Sequence, residues 1–257
     1  MKMPILFAGH GSPMNAIETN TFTDTWRDLG RRIPRPKGIL SISAHWVTRG
    51  SRTSDEENPR IVYDMFGFPR ELYEKKYPAK GAPFIAGRLA ELLPDQVIND
   101  SGWGIDHGTW SVLCHMFPEA DIPVIQLSLD QNLSAREHFD LGQQISPLRE
   151  EGVLILGSGN IVHNLALVDW NKGDGYPWAY EFDEYIEKNI LGSRYEKVIH
   201  YPDAGESQKK SFYTTEHFLP LLYVLGAAEQ EDAIQVFNKE CLMGSISMTG
   251  YLFNSRV

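Results

Sequence analysis

The chain has 257 residues, enough for one large α/β domain with a core of its own, and no Ser/Gly-rich or Pro-rich stretch divides it, so residues 1–257 read as a single domain. Lys and Arg number 24 against 34 Asp and Glu, and a net charge of −10 repels phosphate backbones and anionic lipid surfaces, which argues against nucleic acid or membrane as partner. The opening apolar run is too short for a signal peptide and no later segment approaches the roughly 18 apolar residues of a membrane span, so a cytoplasmic protein is expected.

Short aliphatic runs bounded by turn residues alternate with helical stretches, which predicts crossover units, a mostly parallel central sheet flanked by helices, and a site at the C-terminal ends of its strands. Strands are expected at Pro4 to Gly9, Gly38 to Ala44, Pro123 to Leu129 and Val153 to Gly157, each buried on both faces. Helices are expected at Phe22 to Arg32, Phe84 to Leu93 and Tyr180 to Leu191. Ser134 and Glu137 form a capping box that opens another, with Leu141, Ile145 and Leu148 on one face and an end near Gly152. A further helix starts close to His217, because Pro220 is tolerated only in a first turn. Gln235 to Phe237 and Ser245 to Tyr251 read as closing strands, antiparallel at a sheet edge.

The chain holds eight histidines, and four sit where an apolar run ends or a helix begins: His10, His45, His163 and His217. Imidazole is the commonest side-chain ligand for zinc and iron, and strand ends converge on one crevice in an open α/β sheet, so the pattern fits a mononuclear metal site. Cys114 and Cys241 form no C-x-x-C pair, which leaves nitrogen and oxygen as the ligand atoms. His10 and His45 each follow a strand, with Trp46 placed to wall a pocket; each alone could equally be a histidine bonded inside a turn or a core. His163 lies beyond the Gly157-Ser158-Gly159 turn, which lacks the fingerprint of a phosphate loop. His107, between Trp103 and Trp110, either faces a ligand on which those rings stack or caps the helix that carries Val112, Leu113 and Met116. His138 falls on the apolar face of the capped helix and reads as a core histidine; His115 and His200 are given no role. Trp170, Tyr176, Trp178, Tyr180 and Tyr185 could line an aromatic substrate's pocket, although packing explains most such clusters.

Together, Gly9-His10-Gly11-Ser12-Pro13-Met14-Asn15, Ser43-Ala44-His45-Trp46, Asp106-His107-Gly108-Thr109-Trp110, Ser158-Gly159-Asn160-Ile161-Val162-His163-Asn164 and Glu216-His217-Phe218-Leu219-Pro220-Leu221-Leu222-Tyr223 resemble the bacterial 4,5-DOPA extradiol dioxygenases, within the class III extradiol ring-cleavage enzymes. The resemblance implies an α/β fold, one divalent metal held by His10 and His45, and opening of a catechol such as L-DOPA next to its two hydroxyls by O₂. It makes His163 an acid–base histidine or a further ligand, and His107 a histidine that faces the substrate. Class III enzymes complete their site with a glutamate, whereas the corresponding position here is His217, with Glu216 beside it and expected to point elsewhere. A site built only from histidine leaves the metal its full +2 charge and suits Zn(II) as well as Fe(II).

The expected mechanism joins catechol and O₂ at Fe(II), with His163 moving a proton and His107 stabilising charge. Two rival readings are a zinc-dependent hydrolase, weakened by the lack of H-E-x-x-H and of an obvious carboxylate base beside the histidines, and a metal-stabilised binding protein without turnover. A homo-oligomer stays open.

Overall fold

The computed structural model describes residues 2–255. Its strands, in chain order, are β1 (Ile5–Gly9), β2 (Gly38–Thr48), β3 (Ser51–Thr53), β4 (Val97–Asn99), β5 (Val124–Asp130), β6 (Val153–Gly159), β7 (Ala233–Phe237), β8 (Cys241–Leu242), β9 (Ile246–Ser247) and β10 (Gly250–Asn254). Eight of them form the main sheet in the order β4-β3-β5-β2-β6-β1-β10-β7, while the short β8 and β9 pair with each other. The central four, β5-β2-β6-β1, are all parallel, and β10 and β7 close one edge in antiparallel fashion. The four central strands and β7 are present as expected, β2 running on through His45 to Thr48, but the stretch from Ser245 to Tyr251 is split between β9, which pairs with β8, and β10, which runs on to Asn254 between β1 and β7. The helices that accompany them are α1 (Thr21–Arg32), α2 (Arg70–Glu74), α3 (Pro83–Leu92), α4 (His107–Met116), α5 (Ala135–Ile145), α6 (Pro177–Leu191), α7 (Tyr195–Ile199), α8 (Glu206–Ser211) and α9 (Leu219–Ala227).

Alternate residues of β1 enter two separate cores, which is why its sequence is apolar without a period of two. Ile5 and Phe7 pack with α5 and α9, while Leu6 and Ala8 pack with α1 and α4. The Ser134 box opens α5 as expected, with the Ser134 side chain taking the Glu137 N–H and Glu137 taking the Ser134 N–H. Beyond Ile145 the chain tightens into a 3₁₀ turn that carries Leu148, because Pro147 offers no N–H to continue the helix. Pro220 stands in the first turn of α9, and His217 lies two residues ahead of that helix.

Two buried polar pairs hold these layers. Arg149 is fully buried and grips Asp232 through both terminal guanidinium nitrogens, at 2.8 and 3.0 Å, while its Nε donates to the Met3 carbonyl. The pair ties the start of β1 to the loop after α9. Asp232→Asn is therefore expected to lose about 3–5 kcal/mol in urea unfolding, because it strands a buried guanidinium, whereas the joint change Arg149→Met with Asp232→Leu should cost far less.

His138 is the core histidine expected, its Nδ1 3.1 Å from the Tyr223 hydroxyl of α9. Burial lowers its pKa from 6.5 to about 4, against the opposing pull of Asp130 and Glu137. The unfolded chain thus takes up this proton first as pH falls, so the stability His138 supports is complete above about pH 6.5 and drains away toward pH 4. Replacing His138 by Gln should flatten the acid limb of a stability–pH curve by up to about 1.4 kcal/mol per pH unit in that window.

Candidate metal centre

Two parallel strands and the segment ahead of α9 bring three histidines to one point above the strands' C-terminal ends. His10 follows β1 directly, and its N–H is held by the Gly159 carbonyl at 3.0 Å. His45 stands in β2 where the pairing with β5 changes register, between Ile42 and Val47. His217 precedes α9 and accepts the Asn160 N–H on its carbonyl at 2.8 Å. The backbones come so close there that a Cβ on Gly159 would lie 2.1 Å from the His217 carbonyl oxygen. Gly108 serves in the same way, since a Cβ on it would meet Ser43 Oγ at 2.6 Å and the His45 ring at 2.8 Å.

One ring nitrogen from each of His10, His45 and His217 falls within 4.8 Å of the others, and the Nε2 atoms of His10 and His45 are 3.1 Å apart. The opposite nitrogen of each ring faces an acceptor. His10 Nδ1 donates to Ser158 Oγ at 3.0 Å, whose own hydrogen goes to the Gly108 carbonyl at 2.6 Å. His217 Nδ1 lies 3.3 Å from Glu216 Oε1, and His45 Nδ1 lies 3.1 Å from Asp64 Oδ2. These neighbours favour the Nδ1–H tautomer in all three rings and leave the Nε2 lone pairs aimed at each other. Facing lone pairs repel, and His217 Nε2 is buried with no hydrogen-bond partner at all. A divalent cation resolves both, because tetrahedral zinc with bonds of about 2.0–2.1 Å sets its ligand nitrogens about 3.3 Å apart. The residues fit a metal.

The protonation states agree. Burial, then the neighbouring His45, His217, His107 and His163 rings, drive the His10 pKa far below its ordinary value. Burial does the same for His217, followed by His163 and His45. Neutral imidazole is the form that ligates.

Of the four histidines expected as ligands, three converge and the fourth stands beside them. His163 stacks face to face on His217, ring centroids 3.5 Å apart and planes 7° from parallel, and its nitrogens fall outside the converging set. Burial, then the His45 ring, lowers its pKa to about 4. His107 is the first residue of α4, capped by Asp106, and its ring centroid is 3.9 Å from that of His45. All five histidines line a cavity of about 420 Å³ whose other walls include Met65, Phe68, Leu165, Trp170, Met243 and Ile246.

Several expectations need correction. Glu216 does not point away: the two residues sit in a turn rather than a helix, so its carboxylate folds onto its neighbour's ring. Trp46 walls no histidine pocket, because it stacks on Trp103 with centroids 6.3 Å apart. Trp110 is wholly buried and donates to the Val62 carbonyl, so it stacks on no ligand. Of the tryptophan–tyrosine cluster only Trp170 reaches the cavity, while Tyr176 and Trp178 line a separate hollow. Sequence reasoning also misses Asp64, which answers the expected lack of a carboxylate near the histidines. Its strap, residues 54–69, has no helix or strand periodicity, so no motif advertises the residue.

Comparison with known proteins agrees with this architecture. Residues 3–253 match the family model described as the catalytic LigB subunit of aromatic ring-opening dioxygenase. A protein of Escherichia coli strain K12 named 4,5-DOPA dioxygenase extradiol is 46% identical over 254 residues, spanning 96% of this chain and 93% of that one. The protein of that name from Beta vulgaris is 37% identical, spanning 97% and 96%. The crystal structure of an uncharacterized Escherichia coli K12 protein superposes with a TM-score of 0.86 at 42% identity, covering 98% of this chain and 99% of that one. Matched almost from end to end, in sequence and in fold, the chain belongs to the family of the catalytic LigB subunit of aromatic ring-opening dioxygenase, a family of oxidoreductases.

Proposed function

We propose that this dioxygenase opens a catechol such as L-DOPA beside its two hydroxyls, the 4,5 bond in that substrate, at one divalent metal held by His10, His45 and His217. The observation that carries the reading is the convergence of three Nε2 atoms, each backed by an acceptor on Nδ1, at the floor of an aromatic-rimmed cavity. Relatives named 4,5-DOPA dioxygenase extradiol support the choice of substrate. The metal, Fe(II) for turnover or Zn(II) as bound, supplies Lewis acidity and, as iron, the electron transfer that lets a closed-shell catechol react with O₂. Both oxygen atoms of O₂ enter the product, so the reaction balances without an added reductant.

The chain's own side chains do the rest. Met65, Phe68, Leu165 and Ile246 form an apolar slot that holds a flat ring and thins the water around the charges. Phe66 and Trp170, 90% and 69% exposed, stand at the rim, where one face can receive an aromatic ring. Burial keeps His163 neutral at pH 7, so a ring nitrogen is free to take a catechol proton and return it to the product; lowered basicity suits it to a proton that a bound cation has already made acidic. His107, its Nδ1 turned to Asp64, keeps Nε2 for the substrate. A hydrolase would ask for a free carboxylate base here, and both carboxylates of the cavity already face imidazoles.

Two measurements test the reading. His10→Ala and His217→Ala are expected to lose their metal on purification and with it all catechol-dependent O₂ uptake, whereas Glu216→Gln should keep the metal with affinity weakened about 10–100-fold. Full metal retention in both alanine variants would remove the site. After reconstitution with Fe(II) under anaerobic conditions, L-DOPA and O₂ should give a coloured ring-opened product. His163→Gln, with metal retained, should slow that turnover about 10²–10⁴-fold, and near-parental speed would remove His163 as the proton carrier.

A further inference from the structure

We propose that Asp64 is a dual positioning residue that sets the tautomer of a metal ligand and of the substrate-facing histidine at once. Oδ2 lies 3.1 Å from His45 Nδ1, and Oδ1 lies 3.0 Å from His107 Nδ1. Both contacts have ion-pair separation with imperfect hydrogen-bond alignment. Oδ1 also accepts the backbone N–H of His107 at 3.1 Å. The side chain is only 14% exposed, so water does not replace these partners.

The geometry demands an acceptor-only group with two oxygens. An ionised carboxylate accepts on both, so both imidazoles can carry their hydrogen on Nδ1 and present Nε2 as a lone pair. An amide has the same shape but only one acceptor. The substitution Asp64→Asn would satisfy one ring and turn an NH₂ toward the other, forcing that ring to the Nε2–H tautomer, whose Nε2 can neither ligate a metal nor take a proton. The other carboxylate near His107, Asp106, is already taken up by Ser43, Trp103, Thr109 and Gln126, while Ser158 serves His10 and Glu216 serves His217. Asp64 also anchors the strap over the cavity, and the amide oxygen introduced by Asp64→Asn could still accept the His107 backbone N–H and keep that anchor. The isosteric change thus separates the electronic role from the mechanical one.

The inference rests on the metal reading above, but its first test needs neither metal nor substrate. In the metal-free full chain, ¹⁵N NMR of the histidine rings should show His45 and His107 as Nδ1–H tautomers in the parent, and at least one of them as Nε2–H in Asp64→Asn. Unchanged tautomers in the variant overturn the proposal. Zinc affinity, measured by chelator competition, should fall about 10–100-fold in Asp64→Asn, and Asp64→Glu, which keeps two acceptors, should recover part of it. At saturating Fe(II) the Asn variant should lose mainly kcat, with KM for the catechol changed less. Asn and Glu variants that bind zinc equally well would reduce Asp64 to a strap anchor. Should parent protein and variants all fail to cleave catechols while the tautomer shift appears, the catechol reading fails and the role of Asp64 stands.

Discussion

Five imidazoles line one cavity, and burial holds four of them, His10, His107, His163 and His217, toward the neutral form. Ring centroids of 3.5 Å for His163 and His217 and 3.9 Å for His45 and His107 leave no room for charge on both members of either pair. Burial enforces this first, and mutual repulsion adds to it. The surroundings then assign each ring its hydrogen. Ser158, Asp64 and Glu216 take the Nδ1 sides, so three lone pairs are left crowded together. A crowd of lone pairs in low dielectric is a cost that the sheet, the glycine contacts and the buried Arg149–Asp232 pair must carry in the absence of a cation. Folding and metal affinity are therefore linked in this molecule, since a cation that binds the native arrangement stabilises it by mass action.

The fold contributes rigidity where it counts. Three of the converging or adjacent histidines are fixed through backbone bonds: His10 to Gly159, His163 to Ser211, and Asn160 to His217. Those bonds join the ends of β1 and β6 to each other, the loop after β6 to the last residue of α8, and the end of β6 to the segment ahead of α9, so the ligand positions inherit the stiffness of the parallel sheet. The Asp64 strap is the exception. It has no ladder of its own beyond a bridge from Ile61 to Ile105, and it reaches the centre through one carboxylate. Gly67, at φ +79° with nothing near it, lets the strap reverse between Phe66 and Phe68. The strap is held instead by single bonds from its neighbours, Val62 to Ile105, Arg60 to Ile105 and Val62 to the Trp110 indole.

Much of this was legible in the chain because the relevant signals are local. His10, His45 and His163 stand after apolar runs, and a proline in a first turn marks the helix beyond His217. Capping at Ser134 and the fully buried central strands follow from composition within a few residues. Asp64 was not legible, because its meaning depends on two histidines 19 and 43 positions away in the chain. The same holds for Trp46 and Trp103, whose stacking on each other, rather than on a ligand, is set by the bulge in β2 and the turn before α4. Glu216 shows a subtler limit. The 100° rule that separates neighbouring residues applies inside a helix, and this pair lies just outside one.

Glu216 and Asp64 also bear on the departure from a 2-His-1-carboxylate site. A carboxylate ligand would cancel one unit of a divalent metal's charge directly, and three neutral imidazoles cancel none. Here two carboxylates stand one ring farther out, against Nδ1 of His217 and of His45. Each draws its imidazole's hydrogen toward itself and so makes the far nitrogen a stronger donor. Counted over the whole cluster, two carboxylates would offset a +2 cation, one charge more than a single carboxylate ligand offers but at longer range. The difference is in what the substrate meets. Were a divalent metal held by three histidines alone, as proposed, a bound catechol would meet the less shielded charge, and the protons it gave up would have to pass to neighbouring rings such as His163. On that reading a histidine in place of a glutamate would move the negative charge outward, to Asp64 and Glu216, and leave the acid–base chemistry to the rings inside.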